Sequence, residues 1–149
     1  MRLLVAVLAV LCAGSTAAVA GDLADGKKVF AKCKACHDVG PTAKNKVGPI
    51  LNGVLGRPWG EIEGYKYSAG KEGTLLAITE AEPKTWDLET LTAYLRNPKA
   101  VIPKGKMAFA GLKKDEDIEN VIFYLAQFDL DGNDVDPEAA LSDLKESSN

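Results

Sequence analysis

Cys33-Lys34-Ala35-Cys36-His37 sets two thiols three residues apart and follows the second at once with an imidazole, and His37 is the only histidine in the chain. Cysteines at this spacing with an adjoining histidine form the attachment pattern of a c-type haem. The thiols bond to the porphyrin vinyl groups and the histidine reaches the iron from one face. A chain wrapped around a large flat apolar group needs less of a conventional core. Two rival readings fit less well. A thioredoxin-like pair sits in βαβ surroundings, and the sequence has no strand alternation to supply them. A structural zinc site takes four ligands, usually Cys or His, whereas beyond residue 20 the chain offers two cysteines and one histidine.

The first twenty residues have the form of an export signal. Met1-Arg2 is a short basic start, Leu3 to Ala13 is uncharged and apolar, and Ala18-Val19-Ala20 has the small-x-small pattern of a cleavage site. The alternative is an uncleaved anchor, because the uncharged run from Leu3 to Ala20 is barely long enough to span a bilayer. Gly14, Ser15 and Thr16 weaken that reading. Cleavage after Ala20 is expected, leaving a 129-residue chain. Cys12 follows Leu11 rather than a small residue and is read as part of the signal. Haem attachment to thiols takes place outside the cytoplasm, where unmodified thiols tend to pair. A bacterial periplasm is therefore the expected location.

Charge divides the chain unevenly. Residues 21–114 hold 16 Lys and Arg against 10 acids, and residues 115–149 hold one Lys against 11 acids. The sequence pI of 5.2 thus hides a basic body and an acidic C-terminal section. Nucleic-acid binding draws no support from the basic charge in an exported haem protein.

Helical signals recur along the chain. Asp22 is placed to cap a helix running to about Lys34, with Leu23 and Phe30 on one face. Gly26 lies inside it and costs helix stability, which points to close approach by another element. Val39 to Gly60 reads as loop. A weak helix fits Leu75 to Glu82, before Pro83. Asp87 caps a helix through Arg96 with a Leu88, Leu91, Leu95 stripe, which Asn97-Pro98 stops. Val101 to Gly111 is loop again. Asp115 opens the last strong helix, with Ile118, Val121, Ile122 and Leu125 at helical spacing. The acidic tail beyond Phe128 is expected to be mostly mobile, with a short helix possible from Asp136-Pro137-Glu138 through Leu144. The fold class is all-α, in one domain over residues 21–128.

Beyond Met1, Met107 is the only methionine. It sits in the irregular segment Lys104-Gly105-Lys106-Met107-Ala108-Phe109 and not on a helical stripe, so it is the expected second axial ligand opposite His37. A neutral thioether favours ferrous iron and raises the potential.

These residues resemble the class I cytochrome c family, and among its members the soluble bacterial cytochromes c2. The resemblance runs from about Asp22 to Phe128. It rests on Gly26-x-x-Val29-Phe30, the Cys33-to-His37 motif, Val47-Gly48-Pro49-x-Leu51, Gly56-Arg57, Tyr65-x-Tyr67-Ser68, Trp86, Tyr94-Leu95-x-Asn97-Pro98-Lys99 and Lys106-Met107-x-Phe109. The resemblance implies a cytochrome c fold, with helices and loops wrapped around one covalent haem c held by Cys33, Cys36, His37 and Met107. It implies that the Pro49 carbonyl accepts from the axial histidine, that Arg57, Tyr67 and Trp86 approach the propionates, and that Val121 and Tyr124 cross the first helix at Gly26 and Phe30. There are three departures: Pro103-Lys104-Gly105-Lys106-Met107 lacks the family's threonine before Lys-Met, the stretch from Ser68 to Trp86 is long, and the acidic tail is extra.

The function implied is one-electron transport between membrane redox complexes, such as a cytochrome bc-type donor and an oxidase, photosynthetic reaction centre or reductase. Lysines at 27, 28, 32, 34, 44, 46, 99, 104 and 106 suit transient docking of a monomer on acidic partner surfaces. A haem enzyme of peroxidase type needs an open iron position and distal acid-base residues, and no second histidine is present. A gas sensor in which Met107 is displaced is a further alternative. Asp129-x-Asp131-Gly132-Asn133 is a poor calcium loop, with its glycine misplaced and Ala140 where a glutamate is wanted.

Overall fold

Asp22 caps the first helix, its carboxylate accepting from the Asp25 amide at 2.8 Å. In the computed structural model, which describes residues 21–147, this helix is α1 (Leu23–Phe30). The expected signal segment, residues 1–20, lies outside the described residues. Helix α1 ends four residues earlier than Lys34, yet the chain does not straighten there. Cys33 N donates to Phe30 O at 2.8 Å and Lys34 N to Phe30 O at 3.0 Å, so tight turns carry the path on to His37.

Five further helices follow in order: α2 (Leu75–Ala81), α3 (Leu88–Arg96), α4 (Pro98–Val101), α5 (Asp115–Ala126) and α6 (Pro137–Ser147). Asp87 caps α3 by accepting from the Thr90 amide at 2.7 Å. Asn97 ends α3, but Pro98 does more than stop it. Proline lacks the amide hydrogen that a first helical residue does not need, and its fixed φ suits that position. Here it opens α4. The three acids of the first turn of α5, Asp115, Glu116 and Asp117, lie at the positive end of the helix dipole. Among the described residues the only β pairings are two isolated bridges, Pro58 with Thr85 and Phe128 with Asp134.

The core sits where α1 meets α5. Val29 and Phe30 bury against the stripe of Ile118, Val121, Ile122 and Leu125. The Phe30 and Tyr124 rings lie 5.3 Å apart. Gly26 makes the crossing possible: a Cβ there would overlap the Asn120 carbonyl and come within 2.6 Å of Tyr124 Cβ.

The acidic segment has more order than its composition suggested. Its helix runs three residues past Leu144, it packs against α5, and Leu141 joins the edge of the core. A few apolar side chains, spaced by three and four residues, give α6 a face to bury. The Asp129–Asn133 stretch is an Asx turn. Asp129 accepts from the Asp131 and Asn133 amides at 2.9 and 2.8 Å, and these bonds, led by the Asn133 side chain, hold its carboxyl below the usual range. Among the described residues there is no cluster of three His, Cys, Asp or Glu able to hold a metal ion.

Candidate functional site

The turn after α1 presents Cys33 half-buried and Cys36 exposed, both as free thiols. Burial pushes the Cys33 thiol above its ordinary value, against the opposing charge of Lys32. The same turn delivers His37, whose amide donates to Cys33 O at 2.9 Å. The two sulfurs and the imidazole are therefore set by one short stretch of backbone.

His37 is oriented by the loop that follows. Its Nδ1 donates to Pro49 O at 2.7 Å, which leaves the Nε2 lone pair for a ligand. Burial is the main influence pulling the imidazole pKa below its ordinary value, and Arg57 and Lys46 act in the same direction. The neutral, metal-binding form is the favoured one. Gly48 closes over the ring: a Cβ on it would lie 2.7 Å from both imidazole nitrogens. The loop is tied down by Gly48 N to Cys36 O at 2.8 Å, Leu51 N to Asp38 O at 3.0 Å, and the Tyr65 hydroxyl donating to Val47 O at 2.8 Å.

Arg57 is buried, with 7% of its surface exposed. Its guanidinium donates to Asn52 O at 2.6 Å and to Ile50 O at 3.3 Å. Burial lowers its pKa, and no carboxylate lies within ion-pair distance of it among the described residues. Its Nε is buried without an acceptor. A buried cation held only by carbonyls calls for an anion. A porphyrin brings two carboxylates, so the residues present fit such a group.

Trp86 is brought beside Arg57, stacks on one ring and meets a second at a tilt. Trp59 lies 4.6 Å away at 26°, and Tyr94 lies 4.9 Å away at 53°. The Tyr67 hydroxyl accepts from Ile62 N at 3.3 Å and is close enough to Arg57 for their ionisations to be coupled. Arg57, Tyr67 and Trp86 thus share one neighbourhood.

Met107 is half-buried on the irregular stretch between α4 and α5. That stretch is anchored on both sides. Lys104 N donates to Gly73 O at 2.8 Å, Lys106 Nζ to Lys66 O at 2.6 Å, and Lys99 Nζ to Gly105 O at 2.5 Å.

Two residues of this region stood out only in three dimensions. Trp59 is 3% exposed with its indole N–H lacking an acceptor, and Asn52 is 4% exposed and clamps Gly40 through both ends of its amide. Trp59 lies two residues from Arg57, on the other side of Pro58, which forms the isolated bridge with Thr85. The sequence carried no local signal for it. Several lysines of the basic body are already engaged. Lys32 pairs with Asp117 at 3.1 Å, and Lys46 pairs with Asp38 at 3.4 Å and donates to His37 O at 3.2 Å.

Comparison with known proteins is consistent in sequence and in shape. The cytochrome c family model matches residues 23–129. A cytochrome c2 of Blastochloris viridis is 45% identical over 133 residues, covering 89% of this chain and 98% of that protein. A cytochrome c-550 of Nitrobacter winogradskyi is 48% identical over 112 residues, covering 75% and 95%. The solved structure of cytochrome c2 from Rhodospirillum centenum superposes with a TM-score of 0.64 at 40% identity, covering 73% of this chain and 99% of that one.

Proposed function

Because this chain belongs to the cytochrome c family, in which one covalently bound haem c serves electron transport, we propose that it is a soluble periplasmic carrier of single electrons. It takes them from a cytochrome bc-type complex or similar donor and gives them to an oxidase, photosynthetic reaction centre or reductase. Cys33 and Cys36 form the two thioether bonds. His37 would hold the iron through Nε2, with Met107 as the second protein ligand. The observation that carries this reading is the 2.7 Å bond from His37 Nδ1 to the Pro49 carbonyl, which fixes both the tautomer and the ring direction.

When bound, the haem supplies a one-electron couple that a neutral thioether biases towards the reduced form. The chain's own residues do the rest. Arg57, Tyr67 and Trp86 would offer N–H and O–H donors to the propionates. Gly48 lets the loop close on the imidazole and exclude water. With His37 and Met107 both engaged, no coordination position is left for a substrate, which favours transport over catalysis.

Residues 1–20 serve as a cleaved export signal in this reading. Among the described residues no helix is long and apolar enough to cross a membrane. The monomer docks briefly through lysines near the thiols and Met107, with Lys34 and Lys104 exposed for the purpose. The test is a redox-dependent optical spectrum of the purified holoprotein. Low-spin bands in both states, with the weak thioether-to-iron band at the red end of the oxidised spectrum, are expected. A high-spin oxidised spectrum overturns the ligation and with it the carrier function.

A further inference from the structure

The acidic C-terminal segment crosses back over one particular loop. Phe128 O accepts from Gly53 N at 3.0 Å. Leu130 lies against Gly53, and Leu144, on α6, lies against Gly56, so that a Cβ on Gly56 would meet Leu144 Cδ1 at 3.2 Å. Between these two contacts Gly132 sits on the Gly40 carbonyl and the Asn52 side chain. A Cβ there would overlap Gly40 O and come to 2.5 Å from Asn52 Nδ2. With φ at +82°, Gly132 also holds a conformation that other residues rarely adopt.

The residues touched are the ones that seat Arg57. Asn52 fastens the loop to Gly40 through two bonds, Gly40 N to Oδ1 at 2.9 Å and Nδ2 to Gly40 O at 3.0 Å. Its own carbonyl then accepts the short bond from Arg57 Nη1, at 2.6 Å. Arg57 has Gly56 as its chain neighbour. It also lines a cavity of about 610 Å³ between the loop and the crossing segment, with Leu55 and Ile62 on one side and Phe128 and Ala140 on the other. The segment thus holds the loop at two ends, like an arch, with Arg57 among the residues that line the space beneath it.

We infer that residues 128–144 form a positioning strap for Arg57, acting through Gly132 on Asn52 and Gly40 and through Leu144 on Gly56, and so help to set the reduction potential of the bound haem. The inference rests on the proposed contact of Arg57 with a propionate. A buried positive charge beside the haem disfavours the more positive ferric state. A guanidinium that moves away lowers the potential.

The experiment uses full-length holoprotein carrying Gly132→Ala or, should that variant not fold, Leu144→Ala, each in the unmodified chain and in an Arg57→Gln background. Amide exchange at Gly40 and Gly53 reads the strap, and the midpoint potential reads its consequence. Faster exchange at both amides, a lowered potential, and loss of that lowering in the Arg57→Gln background are expected. An equal lowering in both backgrounds, or faster exchange with an unmoved potential, overturns the inference. Exchange at Gly40 in the unmodified chain reads its bond to Asn52 Oδ1 and not Met107. An unprotected Gly40 therefore sinks the strap even if the optical spectrum is as expected, and a missing thioether band with a protected Gly40 counts against Met107 ligation instead.

Discussion

Trp86 and Arg57 exchange main-chain contact across a long loop: Trp86 N donates to Arg57 O at 2.9 Å, while Trp86 O accepts from the neighbouring Gly56 N at 2.9 Å. The main chains that carry two side chains a haem carboxylate would need are therefore paired directly with each other. The long stretch between Ser68 and Trp86 does not disturb this pairing, because α2 and its flanking turns take up the extra length.

Met107→Ala should open one axial position and lower the reduction potential, because a thioether ligand that favours ferrous iron is lost. Redox titration with optical detection checks this. An unchanged potential with an unchanged low-spin spectrum would assign the ligand to another residue.

Gly26→Val should destabilise the chain by about 1–3 kcal/mol or more, because extra atoms are forced into a close-packed crossing. The overlap is with a backbone carbonyl, that of Asn120, which has no rotamer to change. Urea denaturation of the holoprotein measures the loss, and a midpoint equal to that of the unmodified chain would show that α1 and α5 are free to separate.

Stability should fall as the solution is made strongly alkaline, partly through Tyr94. Burial raises its phenol from the ordinary 10.0 to about 12, with Tyr65 adding to the shift. Between these two values the unfolded phenol has lost its proton while the native one keeps it. The native state therefore binds more protons there, and stability declines with rising pH. Below pH 10 the contribution is fully present. Tyr94→Phe should flatten this part of the stability profile, which denaturant midpoints taken across the window would show; an identical slope in both proteins would count against a buried Tyr94.

Charge reversal at Lys32, Lys34 and Lys106 should slow electron transfer to an acidic partner, most at low ionic strength, where screening is weakest. Lys32 is paired with Asp117, whereas the Lys66 carbonyl leaves the charge of Lys106 uncompensated, so Lys34 and Lys106 should account for the larger share of the steering. Stopped-flow rates over a salt series test the point. Rates of the unmodified protein that do not vary with salt would remove steering from the account.

Much of the fold could be read from the chain because its signals are local. Asp22 and Asp87 announce their helices through side chains that reach three residues ahead. The stripe from Ile118 to Leu125 carries its period within one helix, and Gly26 marks a crossing by costing stability. What escaped depends on distant partners. Trp59 lies in a stretch that reads as loop, and only its stacking on Trp86 gives it a place. Pro98 reads equally as the end of one helix and the beginning of the next. The order of α6 rests on a few apolar contacts with α5 and with the Gly56 loop, which acidic composition conceals. At the candidate site, the thiols and His37 are adjacent in sequence, whereas Arg57 is seated by Asn52, which Gly40 and Gly132 reach from farther along the chain.

The seating of α5 on Gly26 also orders events in time. During synthesis α1 emerges early and lacks its α5 partner until residues 115–126 follow it. Cys33 and Cys36, just behind α1, stay on an open chain throughout that delay. Thioether formation within that interval would meet an open chain, and closure of the two helices afterwards leaves Cys33 half-buried and Cys36 at the surface.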